Sequence, residues 1–124
     1  MGQRIINAMQ ALLDATEGVQ ACALVEAHSG LVWHRCGEQP PEDQLLWEAA
    51  IDYWRLHERS SRHFASLGPL EAAALHHRQG VLAIFPCRHD TELLMVCRAN
   101  HRGVDWRGWQ QQIRRFAADL RQWL

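Results

Sequence analysis

The sequence contains no lysine. All 13 basic side chains are arginine, they face 14 acidic ones, and the formal charge is -1 with histidine neutral. A chain so balanced is not expected to be a general polyanion binder, because nucleic-acid affinity rests on a basic surface that neutralises phosphates. Long apolar runs are missing too: nothing approaches the roughly 18 uninterrupted residues of a spanning helix, so no membrane insertion is expected. The opening stretch, MGQRIINAMQALLDATEG, interrupts its apolar positions with polar ones and does not read as a secretory leader. Its Met-Gly-Gln start does not make a myristoylation motif, since Ile6 stands where Ser or Thr is needed. The four cysteines, Cys22, Cys36, Cys87 and Cys97, include no CxxC pair. Packed, reduced thiols in a cytoplasmic protein are the expectation.

What is present describes one domain over residues 1–124, a length at which area scaling allows about two thirds of the extended surface to be buried. Residues 3–16 gather Ile5, Ile6, Met9, Leu12 and Leu13 on about 120° of a helical wheel, and Gly18 follows as a stop. Residues 19–26 and 31–36 are two β-rich runs joined by Ala27-His28-Ser29-Gly30, which predicts a hairpin. In the first run Ala21, Ala23 and Val25 alternate with Cys22 and Leu24, so both faces are apolar and the strand is expected to be covered on both sides. Pro40-Pro41-Glu42-Asp43 suits the start of a second helix, running to about Ser60. Residues 70–78, 81–87 and 92–98 follow, separated by turns too short for crossover helices, which predicts an antiparallel meander. A last helix, capped by Asp105, places Trp106, Trp109, Ile113, Phe116 and Leu120 on one side. The expected fold is a three-layer α/β/α sandwich of about five antiparallel strands, with helices one and three on one face and helix two on the other.

The second helix differs from the other two. Its apolar residues span about 240° of the wheel, more than one sheet can absorb. Such an excess, rich in aromatic side chains, is expected to meet a partner, most simply a second copy across a two-fold axis. The expected dimer interface is Leu46, Trp47, Ala50, Ile51, Tyr53, Trp54 and His57. If the dimer leaves it open, the polar flank of Glu48, Asp52, Arg55 and Arg59 is the expected docking edge for a further partner. Asp52 and Arg55 are also spaced to pair on the surface for a few tenths of a kcal/mol.

The element order, the hairpin GVQACALVEAHSGLVW and the stretches LGPLEAAALHHRQGVLAIFPC and LLMVCRANHRGVDWRGWQQQIRRFAADL together resemble the roadblock family of dynein light chain type domains. The resemblance spans essentially the whole chain. It implies a homodimer with its sheet continued across the interface, no intrinsic catalysis, and scaffolding or regulation of a Ras-like small GTPase, in bacteria often in polarity, motility or secretion.

No other chemistry is favoured by spacing. The eight histidines include no HExxH, and neighbours His76 and His77 on a strand point to opposite faces, so neither a metal nor another cofactor is expected. No P-loop, GxSxG or dinucleotide fingerprint occurs. A thiol nucleophile at Cys36 or Cys87 would need an electropositive, partly exposed setting. The arginines of the last helix read as a solvated face in preference to an arginine finger. The alternative to a GTPase regulator is a small-molecule sensing or oligomerisation module, with Trp33 or the last helix's tryptophans lining a pocket.

Overall fold

The computed structural model describes residues 2–38, 40, 43, 45–88 and 92–124. The chain runs α1 (Gly2–Ala15), β1 (Val19–Glu26), β2 (Val32–Gly37), α2 (Leu46–Arg59), a 3-10 segment (Ser61–Leu67), β3 (Ala73–His77), β4 (Gly80–Arg88), β5 (Leu93–Ala99) and α3 (Trp106–Trp123). The five strands form one antiparallel sheet in the order β2-β1-β5-β4-β3. The first strand of the meander thus lies at one edge, and the hairpin's second strand at the other.

Two cores flank this sheet, as the two-sided apolarity of β1 requires. On one face Ile5, Met9 and Leu12 of α1 and Trp109, Ile113 and Phe116 of α3 pack on Cys22, Leu24, Met95 and Cys97. On the other, α2 packs on Ala21, Ala23, Val25, Ile84 and Val96. A register shift between Val19 and Ala21 puts Val19 on the α1/α3 side with Cys22. The expected sandwich is the observed one, with helices one and three on one face and helix two on the other.

Local chemistry sets the ends. The Asp105 carboxylate accepts a hydrogen bond from the Gly108 N–H at 3.0 Å, capping α3 as its position predicts. Gly18 and Gly37 both adopt φ near +91°, where a side chain would be strained. Two boundaries differ from expectation. Helix α2 begins at Leu46, so Pro40 and Asp43 of the expected entry precede it, while Pro41 and Glu42 lie outside the described residues. Strand β3 begins at Ala73, because Gly68, Pro69 and Leu70 carry the chain round from a 3-10 segment that the periodicity did not reveal. The turn expected at His89, Asp90 and Thr91 is also outside the described residues. No helix is long and apolar enough to cross a membrane, among the described residues.

Candidate functional site

Helix α2 is apolar on two opposite sides, and only one meets the sheet. At 100° per residue Trp47, Ala50, Ile51 and Trp54 share about 100° of arc, and all four are buried. The strand beneath offers small side chains, Ala21, Ala23 and Val25, which leave room for two indoles. On the far side Leu45, Ala49, Tyr53 and Leu56 fall within about 80°. They face solvent, Leu45 exposed by 74%, Tyr53 by 51% and Leu56 by 55%. Phe64 and Leu67 of the 3-10 segment are further exposed apolar side chains.

This arrangement corrects the expected interface. Trp47, Ala50, Ile51 and Trp54 fill the chain's own core and keep no surface for a second copy. Leu46 is half-buried against the same core. Tyr53 does stand on the open stripe. His57 is half-buried and stacks on Phe64, with ring centroids 4.9 Å apart and planes 14° from parallel. Its Nδ1 is buried and makes no hydrogen bond among the described residues. The residues of the 240° arc that do remain in solvent are Leu45, Ala49, Tyr53 and Leu56. Periodicity counted them all, but it could not say which half of a two-sided helix faces inward. The small side chains of β1 were the available clue, since they demand the larger partners, Trp47 and Trp54.

The polar flank divides as well. Arg55 is a structural tie: its Nε donates to the carbonyl oxygen of Ala27 at 2.8 Å and its second terminal nitrogen to that of His28 at 3.3 Å. The remaining guanidinium nitrogen meets Asp52 at 3.2 Å, which is the pair the sequence spacing anticipated. Glu48 is half-buried, with Oε2 lacking a hydrogen-bond partner among the described residues. Asp52 and Arg59 are exposed beside the apolar stripe.

The thiols are not prepared for nucleophilic chemistry. Cys22 lies opposite Cys36 on one side and Cys97 on the other, and all four cysteines are buried and free. Burial pushes every one of them up, Cys87 and Cys97 to about 12, the reverse of what an activated thiolate needs. No group of three or more His, Cys, Asp or Glu side chains is placed to hold a metal ion, among the described residues. Trp33 donates to Glu26 at 3.3 Å and Trp109 is fully buried, so these rings serve packing. Trp106 borders an open groove of about 400 Å³ on the α3 side of the sheet, and Trp109 a smaller hollow of about 200 Å³ beside Thr16 and Gly108.

No family profile matches the chain, and no curated protein does. Solved structures do. The chain superposes on a roadblock/LC7 domain from Streptomyces avermitilis with a TM-score of 0.80 at 14% identity, over 95% of each chain. Against MglC from Myxococcus xanthus the TM-score is 0.60 at 15% identity, over the whole of both chains. Against the gliding protein MglB from Thermus thermophilus it is 0.61 at 12% identity, over 94% of this chain and 90% of that one. Identities this low speak of architecture alone, and the chain has the fold of the roadblock domains, the fold that its sequence resemblance implied.

Proposed function

We propose that this protein is a homodimeric, non-catalytic adaptor or regulator of a Ras-like small GTPase. The observation that carries the reading is the solvent-facing stripe Leu45, Ala49, Tyr53 and Leu56, an apolar helix face directly opposite the one the fold has already used. Helix α2 is about 21 Å long. One such stripe is short of the 1,200–2,000 Å² that a stable interface buries in total. Strand β3 supplies the rest. Among the described residues it pairs only with β4, and neither lysine nor proline guards its five residues, so a second copy can extend the sheet there. The folded surface of 7757 Å² also exceeds the roughly 6,800 Å² that scaling gives a monomer of this mass.

The fold likeness extends to MglB in a tetrameric arrangement, with a TM-score of 0.69 at 12% identity over 94% of this chain and 90% of that one. It supports an assembling, regulatory role for this chain. Asp52 and Arg59 border the stripe and are the polar groups placed to contact the GTPase, with the buried edge of Glu48 beside them. Arg55 is committed to its own hairpin.

Sedimentation equilibrium tests the dimer. The wild-type chain should weigh twice 14.3 kDa, and Leu56→Glu should weigh half as much with unchanged circular dichroism. A monomeric wild type refutes the interface. The regulatory reading is tested by recovering the tagged chain from its native cell and assaying GTP hydrolysis by the Ras-like GTPase bound to it. Recovery of no such GTPase, or binding that is indifferent to Leu56→Glu, Asp52→Arg and Arg59→Glu, would sink that reading.

A further inference from the structure

On the sheet face away from α2, the helices α1 and α3 leave β3 uncovered. Ala72, Ala74 and His76 are exposed there, and with Ala83, Phe85 and Trp106 they line an open groove of about 400 Å³ between β3 and α3. Phe85 and Trp106 stack with centroids 6.4 Å apart at one side of it. The groove continues along α3 into a second hollow of about 190 Å³ over Phe85, Pro86 and Cys87. Three arginines border this path from α3, Arg107 at the first hollow and Arg114 and Arg121 at the second. They are spaced by seven residues, so they stand in one row on the helix, each about 10.5 Å from the next. All three are exposed. Among the described residues one acidic side chain lines the two hollows: Glu71, whose Oε2 lies 3.0 Å from Arg114.

We propose that this groove is a docking site for an acidic amphipathic helix of a partner protein. The floor is apolar and built from small side chains, which leaves depth for leucine-sized anchors between Ala74 and the Phe85–Trp106 pair. The rim is positive on the α3 side, so carboxylates of the incoming helix meet the arginine row while its apolar face enters the groove. The Arg114–Glu71 pair already shows the geometry from within the chain: a carboxylate on the β3 side is reached by a guanidinium from α3. A ligand carboxylate takes the same place. From Arg107 to Arg121 the helix advances about 21 Å, which matches a partner segment of four turns. The site lies on the opposite face of the sheet from the stripe Leu45–Leu56 and does not depend on the GTPase reading; a second copy pairing along β3 would border its outer edge and leave the α3 rim free.

The probe is a fluorescein-labelled 14-residue helical peptide with leucine on one face and glutamate elsewhere, set against an isomer with lysine replacing glutamate. Titrated into the isotope-labelled full chain, the glutamate peptide should bind and shift the Trp106 indole and the Ala74 and Gln110 amides, while the lysine isomer should not. Replacing Arg107, Arg114 and Arg121 together with glutamate should weaken binding by about tenfold or more, the size expected for several exposed charge pairs. Ala74→Trp, which fills the groove and leaves the arginines in place, should block it with the fold intact by circular dichroism. Equal binding of both peptides, binding unaffected by the triple replacement, shifts confined to α2, or no binding at millimolar peptide each overturns the proposal. So does a shift of the Trp106 indole on concentrating the Leu56→Glu chain alone, since with the dimer through α2 and β3 broken the occupant of the groove would then be a second copy.

Discussion

Arg55 donates from Nε to the carbonyl oxygen of Ala27 at 2.8 Å, tying the middle of α2 to the turn of the β1–β2 hairpin. A second bond from the same guanidinium reaches the His28 carbonyl at 3.3 Å. Two neighbouring carbonyls held by one planar fork fix how α2 lies on the sheet, and hence where its outer stripe points. Arg55→Ala should cost about 1–2 kcal/mol, since charged donors are lost from a partly exposed site. Arg55→Lys should recover little, because a single ammonium cannot span both acceptors. Urea unfolding midpoints at constant m-value check both, and an alanine variant as stable as the parent would show that the tie is idle.

The two sides of α2 should separate cleanly by mutation. Ile51→Ala empties a fully buried site and should cost roughly 2–5 kcal/mol in any assembly state. Leu56→Ala removes a side chain that is 55% exposed in the single chain. It should change monomer stability by less than about 0.5 kcal/mol and act on association alone. Melting temperature measured against protein concentration distinguishes them, because a dimer's stability rises with concentration and a monomer's does not. Equal losses from both variants in dilute solution would contradict the two-sided helix.

The sequence foretold a great deal of this, for identifiable reasons. Strand β1 was legible because Ala21, Ala23 and Val25 alternate with Cys22 and Leu24, and a strand apolar on both faces has only one kind of surroundings. Helix α3 was legible because Asp105 and its apolar side agree on where it starts and which way it faces. The Ser61–Leu67 segment was not, since SRHFASL has neither a one-sided pattern nor a cap, and none of its residues is buried. Arg55 is only half legible: its pair with Asp52 shows in the spacing, whereas its further acceptors are backbone carbonyls that carry no sequence mark. The inward side of Trp47 and Trp54 is hidden from periodicity for a related reason. Aromatic side chains suit an interface and a core equally, and only the small residues of β1 decide between them.

Gly37 should prove intolerant of any side chain. It ends β2 at φ +91°, and a Cβ there would sit against the Gln20 carbonyl and 2.7 Å from Ala21 Cα, both rigid parts of the neighbouring strand. Gly37→Ala should destabilise by more than the roughly 1–2 kcal/mol that left-handed backbone costs an L-residue, because strain and clash add. Gly68 is the control: its φ is +80° but a Cβ there meets nothing within 4 Å. Gly68→Ala should carry the conformational term alone. Comparable unfolding midpoints for the two variants would show that the Gln20 and Ala21 backbone yields.

The missing lysines make the alkaline range unusually simple to read. Arginine stays charged there, and the four cysteines are the buried groups whose protons bear on stability above neutrality. Burial raises the thiols in the folded chain, Cys87 and Cys97 to about 12, while in the unfolded chain they return to about 8.5. Below pH about 8.5 both states hold these protons and the contribution of the buried thiols is complete. Above it the unfolded chain releases protons that the folded chain keeps, so stability should fall by up to about 1.4 kcal/mol per pH unit for each such thiol, until the folded values are passed. Urea midpoints between pH 7 and 10 should therefore decline steeply, and Cys87→Ala with Cys97→Ala should flatten the decline. Thiol labelling gives an independent view: the folded chain should react slowly and unfolding should release all four groups together. A decline that is unchanged in the double variant would place the titrating groups elsewhere, with Cys22 and Cys36, which burial also raises, the remaining thiols able to supply them.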